Sequence, residues 1–586
     1  MAASDADSGS PSRTDILALF VLVAAAGALR WSAWVRSAAI FDDGPRFLAI
    51  ARALDAGAWS LALRDAFHPL YPLATVGIHR ALALVDSAPG WETAGALVSV
   101  VASSAAVGFL FLFVRDAFGR PPAWIAAGLL AVHSRAIDYG SDVQSDGLYL
   151  GLFAAGIWAG WRALRDRSPA AAAGAGAAAG LAYLTRPEGL GLALVLGALG
   201  ALAMARRRWS WRAGAGWLAA LGIAALLCAA PYVLALHQWT GAWTLTHKKS
   251  VAGMVRGEVA PTPGAPVEEA RAAAAERATA PAAAPPVLSP GVDASADPAR
   301  VPPPPPPWLQ ALHLSAPVTV DASWLDPEYL DQDGLRVALA SSRAERAGEA
   351  LRMLGRHVRS ALRYGVAVLA AFGLLAAAGR PGLRGGYSAA LAGLYLVVLY
   401  ALTLSSGYVS RRHALPPLLP LFGYAGLGAL ALGTWLARGL RAPTRAGRVG
   451  ALVVAAVAAG ELASQSAPKR LEELAMRRAA EWLHANASAP GPVAAPRQRF
   501  GYYAGMPYIP LAGVADESLA RYLSRTQARY VLLEDADQVA TLRRAEGSGV
   551  RLLHQVEVAG VPAFVLERKP AGPPVRAPNP GTAAEP

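Results

Sequence analysis

Apolar residues come in blocks of about 15–25 positions nearly free of charge, long enough as helix to span a bilayer core of about 30 Å. Eleven such blocks are read, at 15–35, 91–114, 122–132, 147–161, 170–184, 190–204, 213–236, 364–378, 388–404, 414–436 and 449–462. The run GAGAAAG at 174–180 falls inside the fifth block. Small residues there let helices approach closely, so it is not a nucleotide-binding loop. The polar stretches between blocks are a disordered tail at 1–14, a first loop at 36–90, a break at 133–146, the turn TRPEG at 185–189 and a long segment at 237–360. Within that segment, 260–307 is rich in Pro and Ala and ends in six consecutive prolines, the composition of a polyproline or disordered insert. Ser341 to Arg363 reads as an amphipathic helix along the membrane surface, with Leu351, Leu354, Val358 and Leu362 on one stripe.

From 466 the pattern changes. Lys469 to Asn486 has helical spacing, Arg529 to Glu534 and Pro562 to Glu567 are strand-like, and Asp516 to Arg525 is helical between them. The predicted architecture is an α-helical polytopic membrane protein with a core at 15–465. A small C-terminal soluble α/β domain follows at 466–586, with a disordered tail after 570.

Composition supports this division. The chain is 54% apolar and 16% charged, against about 45–50% and 25% in soluble domains. Its net charge of +13 is almost all arginine, because Lys248, Lys249, Lys469 and Lys569 are the only lysines. The arginines concentrate in the loops at 115–120, 162–167, 206–212, 380–384 and 438–448. With a cytoplasmic N-terminus, all five fall on the cytoplasmic side. The first loop, the 133–146 break, the TRPEG turn, the 237–360 segment and the C-terminal domain then lie outside. No basic groove interleaved with aromatics is present, which excludes a nucleic-acid partner. Cys228, the single cysteine, lies in an apolar block, which excludes internal disulfides and a cysteine metal site. The first block has no cleavage site after it and reads as a retained span. The Ala/Arg-rich composition fits a high-GC bacterium and its inner (plasma) membrane.

The external polar features all lie at span ends. They are Asp42/Asp43, His68, Asp138, Asp142, Asp146, Arg186/Glu188, Lys248/Lys249 and Arg411/Arg412/His413. A carboxylate there can act as general base toward an acceptor hydroxyl. Arginine or lysine beside it can hold a phosphate, and an acid pair such as Asp43 with Asp146 can hold a divalent cation. Plain structural readings stand next to these. Exposed charge is the default for aspartate, so Asp138 and Asp142 read as solvated. His68 reads equally as a loop cap or a catalytic group, Arg186/Glu188 as a structural pair, and Lys248/Lys249 as snorkelling residues. Arg411/Arg412 break the positive-inside pattern, and an anionic lipid headgroup would explain them.

The loop DDGPRFLAIARAL followed by HPLYP resembles the acidic first loop of the GT-C membrane glycosyltransferases of the family 39 type. That group includes protein O-mannosyltransferases and lipid A aminoarabinose transferases. The TRPEG turn, the RRHALPPLLP segment and the order of parts are similar too. The resemblance implies a GT-C core and a polyprenyl-phosphate sugar donor. It implies that Asp42 is the catalytic base, that Asp43 stands where the family more often has Glu, and that Asp146 is the acid opening the fourth span. Arg412 takes the place of the arginine that contacts lipid phosphate, with His413 instead of the family's tyrosine, so that Arg411 and Arg412 are alternative contacts. The expected reaction is an inverting transfer of a sugar to an external protein, lipid or glycan. Asp42, Asp43 and Asp146 are its expected catalytic residues, and His68, Lys248, Lys249, Arg411, Arg412 and His413 bind substrate. A polytopic lipid transporter or flippase is the competing class, which ionisable residues at mid-membrane depth would favour.

Overall fold

The structure, a computed structural model, describes residues 13–63, 67–85, 90–241, 243–246, 337, 342–378, 382–406, 409–511, 519–520, 522–523, 526, 528–545 and 549–568. Lys248, Lys249, the 260–307 insert, most of 516–525 and the tail after 570 lie outside these residues.

Every apolar block is helical. In chain order the helices are α1 (Arg13–Val35), α2 (Gly44–Asp55), α3 (Trp59–Leu63), α4 (Leu70–Leu82), α5 (Trp91–Phe118), α6 (Arg120–Val132), α7 (Ser134–Gly140), α8 (Asp146–Arg165), α9 (Pro169–Tyr183), α10 (Leu190–Ala205) and α11 (Trp211–Thr240). After the insert come α12 (Arg343–Leu362), α13 (Tyr364–Ala377), α14 (Leu383–Ser406), α15 (Arg411–Ala414), α16 (Leu419–Gly439) and α17 (Ala446–Ala463).

The eleven expected blocks differ in length as helices. Among the described residues seven helices are long and apolar enough to cross alone, and an eighth crossing needs α12 and α13 together, bent by 95°. The 13 residues of α6 and the 15 of α9 rise only about 20 and 23 Å at 1.5 Å per residue, short of a bilayer core of about 30 Å. Their apolar character serves burial within the protein: Ala123, Ala126, Ala127, Leu129 and Leu130 of α6 are inside. The small residues of α9 act as expected. A Cβ at Gly180 would lie 2.7 Å from the Ala225 carbonyl of α11, so only glycine permits that approach.

Two departures concern single residues. Arg30, counted in an apolar block, is fully buried. Its guanidinium donates to Ser103 Oγ (3.0 Å) and to the carbonyls of Ala26 (3.0 Å) and Ala131 (3.2 Å). Ala131 is in the last turn of α6, where carbonyls lack helical partners, so Arg30 fixes where the 133–146 break begins. In α12 the buried residues are Ala350, Met353, Leu354, Ala361 and Leu362. Leu354 and Leu362 of the expected stripe are buried and Val358 packs against the core, but Leu351 is 63% exposed and departs from it.

The chain forms two compact units. Among the described residues, one holds 13–35 and 47–467, and the other holds Arg36–Arg46 and 468–568. The second contains α18 (Leu474–Asn486), β1 (Val493–Ala495), α19 (Gln498–Ala504), β2 (Tyr508–Pro510), β3 (Tyr530–Leu533), α20 (Ala536–Arg544), β4 (Val550–Val558) and β5 (Val561–Arg568). Its sheet has the order β2-β1-β3-β5-β4. Strand β1 runs parallel to β2 and β3, and β5 antiparallel to β3 and β4. The two expected strands are β3 and β5. Three-residue β1 and β2 are too short to show a period.

Candidate active site

Four elements of the membrane unit converge on Asp146. This residue opens α8, where unpaired N–H groups and the helix dipole favour a carboxylate. The TRPEG turn after α9 delivers Arg186, whose Nη1 stands 2.6 Å from Asp146 Oδ1 and whose Nε stands 3.6 Å from Glu188 Oε2. The one-turn helix α15 delivers Arg412, with Nη1 3.7 Å from Asp146 Oδ2. Tyr395 of α14 donates to the Glu188 carbonyl (2.9 Å), and the Arg186 guanidinium lies 5.7 Å from the Tyr149 ring centroid. Burial opposes the charge on Arg186, but the Asp146 and Glu188 carboxylates hold its pKa above the ordinary arginine value. Of the two guanidiniums on Asp146, that of Arg412 makes the longer contact.

Asp146 is 5% exposed, with a guanidinium on each oxygen. That arrangement is an ion-pair network in which both oxygens of Asp146 face arginine. Among the described residues no three His, Cys, Asp or Glu converge as a metal site.

Asp42 belongs to the other unit. Its Oδ2 lies 2.8 Å from Arg497 Nη1 and its Oδ1 2.8 Å from Arg499 Nη2. Arg499 also reaches Glu473, with Nε 2.9 Å from Oε2. Burial pushes the Arg499 guanidinium down and the Glu473 carboxyl up. The Asp42 side chain itself stays 38% exposed. Asp43 is half-buried in the turn before α2.

The remaining candidates divide clearly. His68 is buried. Its Nδ1–H donates to the Tyr183 carbonyl (2.6 Å), leaving Nε2 to accept from the Thr246 hydroxyl at 3.3 Å. Its ring also packs edge-on against Tyr183, so it ties the first loop to the end of α9. His413 completes a capping box in α15, its Nδ1 accepting from the Ser410 N–H (3.3 Å). That box sets the orientation of Arg412, whereas Arg411 is exposed. Asp142, expected to be solvated, is buried and accepts from the Val143 N–H (2.8 Å). Asp138 pairs with Arg135 (3.4 Å) and accepts from Gln465 (3.3 Å).

The pairing of Asp42 with Arg497 and Arg499 was not legible beforehand. Its one sequence signal is the spacing Arg497-Gln498-Arg499 in a domain expected outside. Soluble domains carry arginine freely, so that spacing does not stand out. Arg186 was singled out, but as the partner of Glu188 rather than of Asp146.

The chain was compared with known proteins. The family model of dolichyl-phosphate-mannose-protein mannosyltransferases matches residues 78–234, a segment that includes Asp146 and Arg186. No curated protein sequence matches. Among solved structures, ArnT from Cupriavidus metallidurans bound to undecaprenyl phosphate aligns with a TM-score of 0.52 at 12% identity, covering 95% of this chain and 98% of that one. The Archaeoglobus fulgidus oligosaccharyltransferase in complex with Zn and sulfate aligns with a TM-score of 0.51 at 12% identity, covering 90% and 70%. Long apolar helices, a small C-terminal sheet and these alignments agree: the chain is a multi-pass membrane protein with the GT-C fold, as the resemblance of its first loop implies.

Proposed function

We propose that the protein is a membrane glycosyltransferase that moves a sugar from a polyprenyl-phosphate carrier to an acceptor outside the bacterial inner membrane. The observation that carries this reading is the pair Arg186 and Arg412 on the buried Asp146 at the start of α8. Arg412, held at 3.7 Å by a one-turn helix, can swing from the carboxylate to a phosphate diester without leaving Asp146 unpaired, because Arg186 remains. The structural neighbour bound to undecaprenyl phosphate supports a lipid-phosphate donor. In this reading the leaving group is that phosphate, and its developing charge is neutralised by Arg412. Asp42 accepts the proton of the acceptor hydroxyl as that oxygen attacks the anomeric carbon. One displacement breaks the carbon–phosphate-oxygen bond, forms the new glycosidic bond and inverts the centre. Asp43 orients the acceptor beside Asp42.

The test is transfer of labelled sugar from undecaprenyl-phosphate donors in membranes containing the protein. Asp42→Asn should lower the rate by about 10²–10⁴-fold, the usual contribution of a general base, with protein abundance unchanged. Full transfer by that variant would overturn the mechanism.

A further inference from the structure

Residues 36–46 follow α1 in sequence but pack with the C-terminal unit. Three consecutive residues are held by their backbones. The Ala38 N–H donates to the Lys469 carbonyl (3.0 Å), and the Ala38 carbonyl accepts from Arg477 (2.9 Å). The Ala39 carbonyl accepts from Arg470 Nε (2.8 Å). The Ile40 N–H donates to the Tyr503 hydroxyl (2.8 Å), and the Ile40 carbonyl accepts from Arg499 Nη1 (2.8 Å). A segment without regular structure must find such partners outside itself, and here the domain supplies them.

Arg499 links the backbone to the acid. One guanidinium reaches the Ile40 carbonyl through Nη1, Asp42 Oδ1 through Nη2 and Glu473 Oε2 through Nε. Its side chain is 3% exposed. Of these three contacts the one to the Ile40 carbonyl is a hydrogen bond, and those to Asp42 and Glu473 are ion pairs; the broad guanidinium spans all three groups, whereas a compact lysine ammonium supplies the charge without that reach.

We propose that the C-terminal domain is a positioning element for the acids Asp42 and Asp43, and that Arg499 is its principal positioning residue. Tyr503 assists by fixing the Ile40 amide. The proposal rests on the transferase reading. It assigns the small sheet domain a part in the reaction itself, because loss of ångström-level placement of a reacting group costs large factors in rate.

Two variants test it in the full-length protein in lipid nanodiscs. Arg499→Lys keeps the charge and loses the fork; Tyr503→Phe keeps the ring and loses the acceptor of one amide. Arg499→Lys should lower kcat at least about tenfold with KM for the lipid donor unchanged, and Tyr503→Phe should lower it by a smaller factor. Hydrogen–deuterium exchange of the Ala38 and Ile40 amides should quicken in both, without change in the core of the sheet. Parent-like kcat and parent-like exchange in both variants would overturn the proposal. A parental kcat with quickened exchange would also overturn it, because the anchoring would then be structural only. If the parent protein transfers no sugar, the transferase reading fails, and the exchange result still shows whether the domain anchors the loop.

Discussion

Two carboxylates, Asp146 in the membrane unit and Asp42 in the C-terminal unit, each lie between two guanidiniums, and the pairs differ in symmetry and burial. Asp146 is 5% exposed and held unequally, by Arg186 at 2.6 Å and Arg412 at 3.7 Å. Asp42 is 38% exposed and held equally, by Arg497 and Arg499 at 2.8 Å. A buried carboxylate cannot spare its close partner, because an unpaired charge there costs several kcal/mol. Its second partner, Arg412, stands 1.1 Å farther from it, at 3.7 Å against 2.6 Å. The Oδ2 side of Asp42, paired with the half-exposed Arg497, can exchange that guanidinium for water at little cost. The surface supplies a third example in Glu567, 2.8 Å from Arg551 and 3.2 Å from Arg529.

The sharpest test of this contrast is Arg186→Ala, which removes the close partner of Asp146 and leaves it only the longer contact with Arg412. It should destabilise the membrane unit by about 3–5 kcal/mol, read as lost thermal stability in detergent. Next, Arg412→Ala should leave stability near the parent's and weaken lipid-donor binding by about 10–100-fold, the scale of one charge-assisted contact; a titration with undecaprenyl phosphate measures it. Third, Arg497→Ala should cost at most about 1 kcal/mol of stability, since that arginine is half exposed. Equal losses in the Arg186 and Arg497 variants would erase the distinction drawn from burial.

The smallest effect concerns Glu567. The Arg551 guanidinium, with Arg529, holds its carboxyl below the usual range despite the cost of burial. A depressed folded-state pKa contributes stability above the unfolded value of about 4.3, and that contribution is lost as pH falls through the folded value. Glu567→Gln should therefore lower the melting temperature slightly at pH 7, and the gap to the parent should close as the pH is lowered below about 4. A gap that persists there would mean packing, not charge, holds the strand pair together.

Much of the fold was legible in the sequence because hydrophobic blocks report helices directly. All eleven expected blocks are helical. What the blocks do not reveal is which helices meet lipid. α6 and α9 read as apolar blocks, yet many of their residues are buried against neighbours within the protein. The site was legible in part. Asp146 and Arg412 come together as ion-pairing partners, and His68 resolves from two readings to a buried tie. Arg30 and Arg499 were missed for one reason: a buried arginine looks like any other in a chain with many, and only its distant partners reveal it.

The grip of the C-terminal domain on residues 36–46 also sets a schedule for biosynthesis. Asp42 and Arg497 are 455 positions apart. At elongation rates of about 5–20 residues per second, the acid leaves the ribosome roughly 20–90 s before its partner. During that interval α1 and the helices after it can be inserted, but the loop lacks the domain that orders it. In a nascent chain the segment 36–46 therefore lacks its partners until the last domain has been made and has folded.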